Sequence, residues 1–218
     1  MAEPLRLFLA GPAGAGKTEV AEILEKQHRF RRIGLGDLCR EECRQRGWPE
    51  DRAHLQAAGD LLRATDPARL APLAWERVRG VRGPVVVEGV RLAAEATYLR
   101  ALGMIGVAVD APEGVRAARL IRRDGRLAPD HRTEREAAHV PVDLRLVNGR
   151  HDHAALARQV RIAVGRPVIL QAEREGRVKD LGLRLGGIRA VRQVADDLDR
   201  IATGPVAAGR RDRGGLER

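Results

Sequence analysis

Two hydrophobic periods alternate along this chain. Residues 5–10, LRLFLA, form a short apolar run closed by Gly11 and Pro12, the pattern of a buried strand. Residues 17–27 then set Val20, Ala21, Ile23 and Leu24 at helical spacing. A second short strand is expected at 30–33, and Asp37 stands where an N-cap would open a helix running to Gln45. Helices at 52–63 and 67–78 follow, the latter with Pro67 in a favoured early position. Residues 84–87, with Glu88 and Gly89 behind them, change the period to a β-branched run closed by glycine, typical of a buried parallel strand. A helix at 93–102, a strand at 104–110 and a helix at 112–123 come next. A polar, proline-containing loop at 124–132 leads to a short helix at 133–139, a strand at 144–147 and a helix at 154–164. Strands alternating with helices predict right-handed crossovers and a five-stranded parallel sheet covered on both faces, a three-layer α/β/α arrangement. Beyond Gly165 the pattern weakens. Ile188, Val191, Val194, Leu198 and Ile201 predict an amphipathic helix over 188–202, and the Gly- and Arg-rich residues 203–218 a disordered tail.

Composition narrows the chemistry. The 218 residues are 44% hydrophobic and 32% charged, a globular profile. No apolar run approaches the roughly 20 residues that span a bilayer. The opening MAEPLRLFLAGPAG lacks the layout of a signal peptide, so a cytoplasmic chain is expected. Cys39 and Cys43 are too few for a disulfide framework and are expected to be buried thiols. Trp48 and Trp75 read as packing residues, and His151 and His153 as solvated. There is no serine, which excludes a serine nucleophile. Arg supplies 37 of the 40 basic residues and Asn148 is the only asparagine, a bias that suits GC-rich coding and a hot environment. The net charge of +10 suits either nucleic acid or a polyphosphate ligand. Five scattered aromatics make no stacking platform for single strands.

Residues 11–18, GPAGAGKT, decide for the polyphosphate. They match G-x-x-x-x-G-K-[ST] between a predicted strand and a predicted helix. Gly11, Gly14, Ala15 and Gly16 give a loop whose backbone N–H groups curl around a phosphate, with the positive end of the next helix aimed at the same anion. Lys17 then reaches the β- and γ-phosphates, and Thr18 offers a hydroxyl to Mg²⁺. ATP and Mg²⁺ are therefore the expected cofactors.

The chain lacks the Asn/Thr-Lys-x-Asp guanine signature, is short for a helicase core, and places arginines at the ends of elements around the loop. Over about residues 5–164 it resembles the P-loop nucleoside monophosphate kinase group, closest to deoxynucleoside monophosphate kinases and dephospho-coenzyme A kinase. Four segments carry the resemblance: FLAGPAGAGKTEVAEIL, IGLGDLCREECRQRG, VVVEGVRLAAEATYLRALG, and RAARLIRRDG followed by VDLRLVNGRHDHAALARQV. It implies a kinase domain over 1–164, with a small helical acceptor-binding region at about 36–80 and a short lid at about 123–139. Arg40 and Arg91 would grip the acceptor phosphate, and Asp37 would orient the acceptor sugar or assist its hydroxyl. Arg63 joins them because Gly59-Asp-Leu-Leu-Arg63 echoes Gly36-Asp-Leu-Cys-Arg40. Glu88, where many relatives have Asp, would touch substrate or assist Mg²⁺. Arg119, Arg122, Arg123 and Arg126 cluster at the lid junction, and Arg119 and Arg123 share a helix face suited to the transferring phosphoryl. The lid has no cysteine quartet for zinc, and residues 165–218 match nothing in the family.

The reaction implied is transfer of the γ-phosphoryl of ATP to a small-molecule nucleotide acceptor, a deoxynucleoside monophosphate first. Alternatives are dephospho-coenzyme A kinase, a kinase of a hydroxymethylated base within DNA, and a DNA-binding ATPase switch. Residues 165–218 carry 12 basic and 8 acidic side chains, so the positive charge is not concentrated in a DNA-binding tail. A homodimer remains open, and no membrane partner is expected.

Overall fold

A computed structural model describes residues 4–124, 136–137, 139–149 and 152–174. Among these residues, five parallel strands lie in the order β2–β3–β1–β4–β5. They are β1 (Arg6–Ala10), β2 (Arg31–Gly34), β3 (Val85–Val90), β4 (Ile105–Asp110) and β5 (Leu144–Val147). The helices are α1 (Lys17–His28), α2 (Leu35–Gln45), α3 (Arg52–Leu62), α4 (Leu70–Val78), α5 (Ala93–Ala101), α6 (Glu113–Asp124) and α7 (His153–Arg174).

Alternation along β1 sorts the core into two layers. Leu7 and Leu9 face Val20, Ile23 and Leu24 of α1 and Leu156 and Val160 of α7. Phe8 and Ala10 face Leu38 of α2, Leu70 and Ala74 of α4 and Leu99 of α5. Both faces of the central strands are thereby buried, which explains the unbroken Val85-Val86-Val87 run. Gly106 of β4 lies beneath the Phe8 ring, where an added Cβ would come within 2.5 Å of the ring. Cys39 and Cys43 are buried free thiols in the same layer, as expected. At the outer edge, Gln159 of α7 accepts a hydrogen bond from Val147 N–H and donates one to its carbonyl, both at 3.1 Å.

Three boundaries differ from the sequence expectation. Helix α2 starts at Leu35 after Gly34, so Asp37 is the third residue inside it and receives the Gly34 N–H from there, at 3.2 Å. Helix α4 starts at Leu70, not 67. Asp66 accepts the Ala68 N–H at 2.8 Å, and the Arg69 and Ala71 N–H groups bond three residues back, giving a tight turn before the helix. Helix α7 does not stop at 164 but runs through Gly165 and Pro167 to Arg174. The first compact unit is Met1–Val168. Most of the expected lid, the 188–202 helix and the 203–218 tail lie outside the described residues. No helix among the described residues is long and apolar enough to cross a membrane.

Candidate active site

The 11–18 loop joins β1 to α1 at the C-terminal edge of the sheet, where open α/β sheets receive ligands. Gly11 and Gly16 have φ of 132° and 94°, values that L side chains rarely adopt. Space forbids a side chain there too: an added Cβ would run into the Val109 carbonyl at Gly11 and the Asn148 amide at Gly16. The ammonium of Lys17 donates to the carbonyls of Gly11 at 2.7 Å and Pro12 at 2.8 Å, so it lies across the loop. Helix α1 opens without a side-chain cap, leaving its first-turn amides to an anion. Thr18 is exposed at that end.

Helix α6 reaches over the same loop. Arg119 donates to the carbonyls of Gly14 at 3.2 Å and Ala15 at 3.4 Å, and to Asn148 Oδ1 at 3.1 Å. Asn148 is only 3% exposed, and its Nδ2 donates to Glu19 Oε2 at 3.0 Å. Glu19 meets His153 Nδ1 at 3.3 Å through its other oxygen. A carboxamide suits this place because one side chain must accept from a guanidinium and donate to a carboxylate. Arg123, one turn after Arg119, is exposed. Residue 126 of the same cluster, and His151, lie outside the described residues.

The ends of β2 and β3 and helices α2, α3 and α5 form the second half of the site. Gly89 makes a bulge, so Leu9 pairs with Glu88 but Ala10 with Val90. Glu88 is 8% exposed and takes a fork from Arg32, whose Nε lies 2.8 Å from Oε1 and whose NH2 also contacts it. A Cβ at Gly34 would lie 2.7 Å from Asp37 Oδ2 and 3.5 Å from Glu88 Oε1, so both carboxylates approach the β2–α2 junction. Asp37 Oδ1 accepts from Arg40 at 2.6 Å, and Arg40 also lies 3.9 Å from Glu50. Arg63 follows α3 and binds Glu95 Oε1 of α5 through Nε and NH2, both at 2.8 Å. The other Glu95 oxygen receives the N–H groups of Arg91 at 3.0 Å and Leu92 at 3.2 Å. Burial pushes the Cys39 thiol above its ordinary pKa, against the pull of the Arg63 and Arg91 charges beside it.

The structure thus gathers Arg63 and Arg91 around Cys39 and Glu95, and sets Arg40 with Asp37 on α2. It engages Glu88 with Arg32, a partner that sequence reasoning did not assign.

Residues 7–141 match the family profile described as an AAA domain. The chain belongs to the AAA domain family. No curated protein matches this AAA domain in sequence. Among solved structures it is similar to a gluconokinase from Sinorhizobium meliloti 1021, at 19% identity over 73% of this chain and 91% of that one, with a TM-score of 0.50. A candidate kinase from Chloroflexus aurantiacus j-10-fl gives 18% identity, 75% and 97% coverage and a TM-score of 0.53. At these identities the likeness is one of fold, and it agrees with the five-stranded parallel α/β architecture.

The uncapped helix, glycine cradle and crossing lysine of this AAA domain fit a triphosphate. Mg²⁺ commonly takes only one or two protein ligands beside phosphate oxygens, so an exposed Thr18 hydroxyl at the start of α1 fits it. Sequence reasoning missed Asn148, Glu95, Glu19 and Arg32 as site residues. The one available signal was Asn148, the sole asparagine of the chain.

Proposed function

We propose that this protein is an ATP- and Mg²⁺-dependent phosphotransferase acting on a nucleotide acceptor, a deoxynucleoside monophosphate first. The observation that carries the reading is a glycine-cradled anion site, crossed by Lys17 and Arg119, with the Glu95-bound fork of Arg63 and the Asp37-bound Arg40 on the helices that follow β2. Two polyanions must meet for phosphoryl transfer, and guanidinium forks on both sides neutralise their repulsion. The kinases of similar fold support the reaction class.

ATP binds with its β- and γ-phosphates on the amides of Gly14, Ala15, Gly16 and Lys17. Thr18, with Glu88 as the second candidate, would hold Mg²⁺, which would supply charge neutralisation. Arg91, Arg40 and Arg63 hold the acceptor phosphate, and Asp37 sets the fork of Arg40. An acceptor phosphate oxygen attacks the γ-phosphorus as the bond to the β,γ-bridging oxygen breaks, leaving ADP and a diphosphate. Arg119 and Arg123 meet the charge on the transferring group.

A phosphate acceptor is favoured over a hydroxyl acceptor by the state of the carboxylates. Glu88 pairs with Arg32, Glu95 with Arg63, and Asp37 with Arg40 and the Gly34 N–H. A hydroxyl must give up a proton to such a base, whereas an ionised phosphate oxygen need not.

The test is transfer from ATP to a panel of ribo- and deoxyribonucleoside monophosphates, dephospho-coenzyme A, gluconate and hydroxymethylated DNA, with products identified by mass. A diphosphate product from a deoxynucleoside monophosphate is expected, abolished by Lys17→Ala with the fold intact. Transfer to a sugar hydroxyl or to DNA alone would overturn the acceptor assignment, and full activity in Lys17→Ala would overturn the mechanism.

A further inference from the structure

We propose that Glu95 is the positioning residue of the acceptor cleft, orienting Arg63 with one carboxylate oxygen and the backbone that carries Arg91 with the other. The inference rests on the acceptor reading given above.

Glu95 has no exposed surface, and Arg63 shows only 11% of its side chain. A carboxylate stripped of water is tolerated only where several hydrogen bonds replace the lost hydration. Here four N–H groups do so: two from Arg63 at 2.8 Å and the backbone amides of Arg91 and Leu92. The two amides alone would make Glu95 an ordinary helix-opening acceptor, for Leu92 has no acceptor of its own. Arg63 lies 32 positions earlier in the chain, so its fork is a long-range contact that helix capping does not require.

The slot around Arg63 is shaped for its guanidinium. Gly59, one turn back on α3, leaves the space that the group fills: a Cβ there would come within 2.9 Å of Arg63 NH1 and 3.4 Å of Cys39 Sγ. Glu95 occupies the Nε–NH2 edge, so the NH1 end is the one presented away from the carboxylate. Both arginine anchors are therefore referred to one rigid group at the start of α5. The Arg63 fork and the backbone that carries Arg91 are thereby held in register, which lowers the side-chain entropy lost when an acceptor phosphate binds.

Two substitutions separate positioning from stability. Glu95→Gln keeps the length and a carbonyl oxygen for the backbone amides but turns an NH₂ or a neutral oxygen to Arg63. Glu95→Asp keeps the charge and the helix-opening role but falls short of Arg63. Calorimetric binding of dAMP, dCMP, dGMP, dTMP and inorganic phosphate, beside ATP with Mg²⁺, gives the readout. For the monophosphate that the wild type binds best, both variants should weaken affinity by about tenfold, the scale of one charge-assisted hydrogen bond, with ATP affinity within about twofold. The acceptor KM should rise correspondingly more than kcat falls.

Lowered thermal stability with unchanged monophosphate affinity, or equal weakening of ATP and monophosphate, would overturn the proposal. Arg63→Met distinguishes the two levels. If it weakens monophosphate binding while the Glu95 variants do not, positioning alone fails. If neither it nor Arg91→Ala changes that binding, the acceptor reading fails and the inference with it. Should both Glu95 variants lose ATP binding through unfolding, Arg63→Lys decides, because it keeps the charge against Glu95 and removes the fork. Monophosphate binding as weak as in Arg63→Met then supports the proposal, because the charge without the Glu95-held fork is not enough, and binding tighter than in Arg63→Met overturns it.

Discussion

Asn148 shows how one side chain can be dictated by its two neighbours. Its Oδ1 faces Arg119 and its Nδ2 faces Glu19, so an aspartate would satisfy the arginine and repel the glutamate. Asn148→Asp should lower the unfolding free energy by about 1–3 kcal/mol, the usual cost of a mismatched buried polar group, as read by urea denaturation at neutral pH. It should also loosen Arg119 from the 11–18 loop and weaken ATP binding. A variant as stable as wild type with full ATP affinity would show that the carboxamide is dispensable. The same reasoning explains what was readable beforehand. The phosphate loop is local, its eight positions adjacent in sequence, so spacing alone revealed it. Asn148 and Glu19 are separated by 129 positions and Arg32 and Glu88 by 56, and nothing in the spacing of either pair marks the partnership.

Elements were legible where a hydrophobic period continues without interruption, as in β1, β3 and α1, and their ends were less so. Asp37 looked like a cap from outside α2 and serves from inside it, because glycine at position 34 leaves room for the carboxylate to fold back. Pro67 looked like a helix opening, but the Asp66 side chain makes a turn there first. Two expectations follow from packing between elements. Gly106→Ala would press β4 against the Phe8 ring of β1 and should destabilise the protein by about 1–3 kcal/mol, measured by chemical denaturation, as overpacked cores do. At the C-terminal end of α1, burial holds the His28 imidazole below its ordinary pKa of 6.5, and the Arg161 charge on α7 adds to the effect. The unfolded chain therefore binds the proton more readily. Stability should be complete above pH 6.5 and decline as the pH falls through that value towards the lower folded pKa. Thermal melts of His28→Gln should lose that part of the acid-side slope; an unchanged slope would refute the assignment.

Across the whole molecule, much of the arginine excess is distributed in pairs, such as Arg77 with Glu41, Arg44 with Glu50 and Arg100 with Asp143. Exposed pairs contribute roughly 0–1 kcal/mol each, while a net charge of +10 repels itself over longer distances. The melting temperature should therefore rise when salt goes from about 0.01 to about 0.15 M, as the screening length falls from about 30 to about 8 Å. A fall, seen by scanning calorimetry, would mean that the pairs outweigh the repulsion. The bond from Gln159 to Val147 bears on a different matter, the way copies of the chain meet. An outermost strand with open N–H and C=O groups is a template for growth by strand addition. On β5 the amide of Gln159 already occupies both backbone groups of Val147, and on β2 the exposed charge of Arg31 stands at the opposite margin. A newcomer strand at β5 must first displace a side chain that mimics it, which disfavours fibre-like growth from that edge.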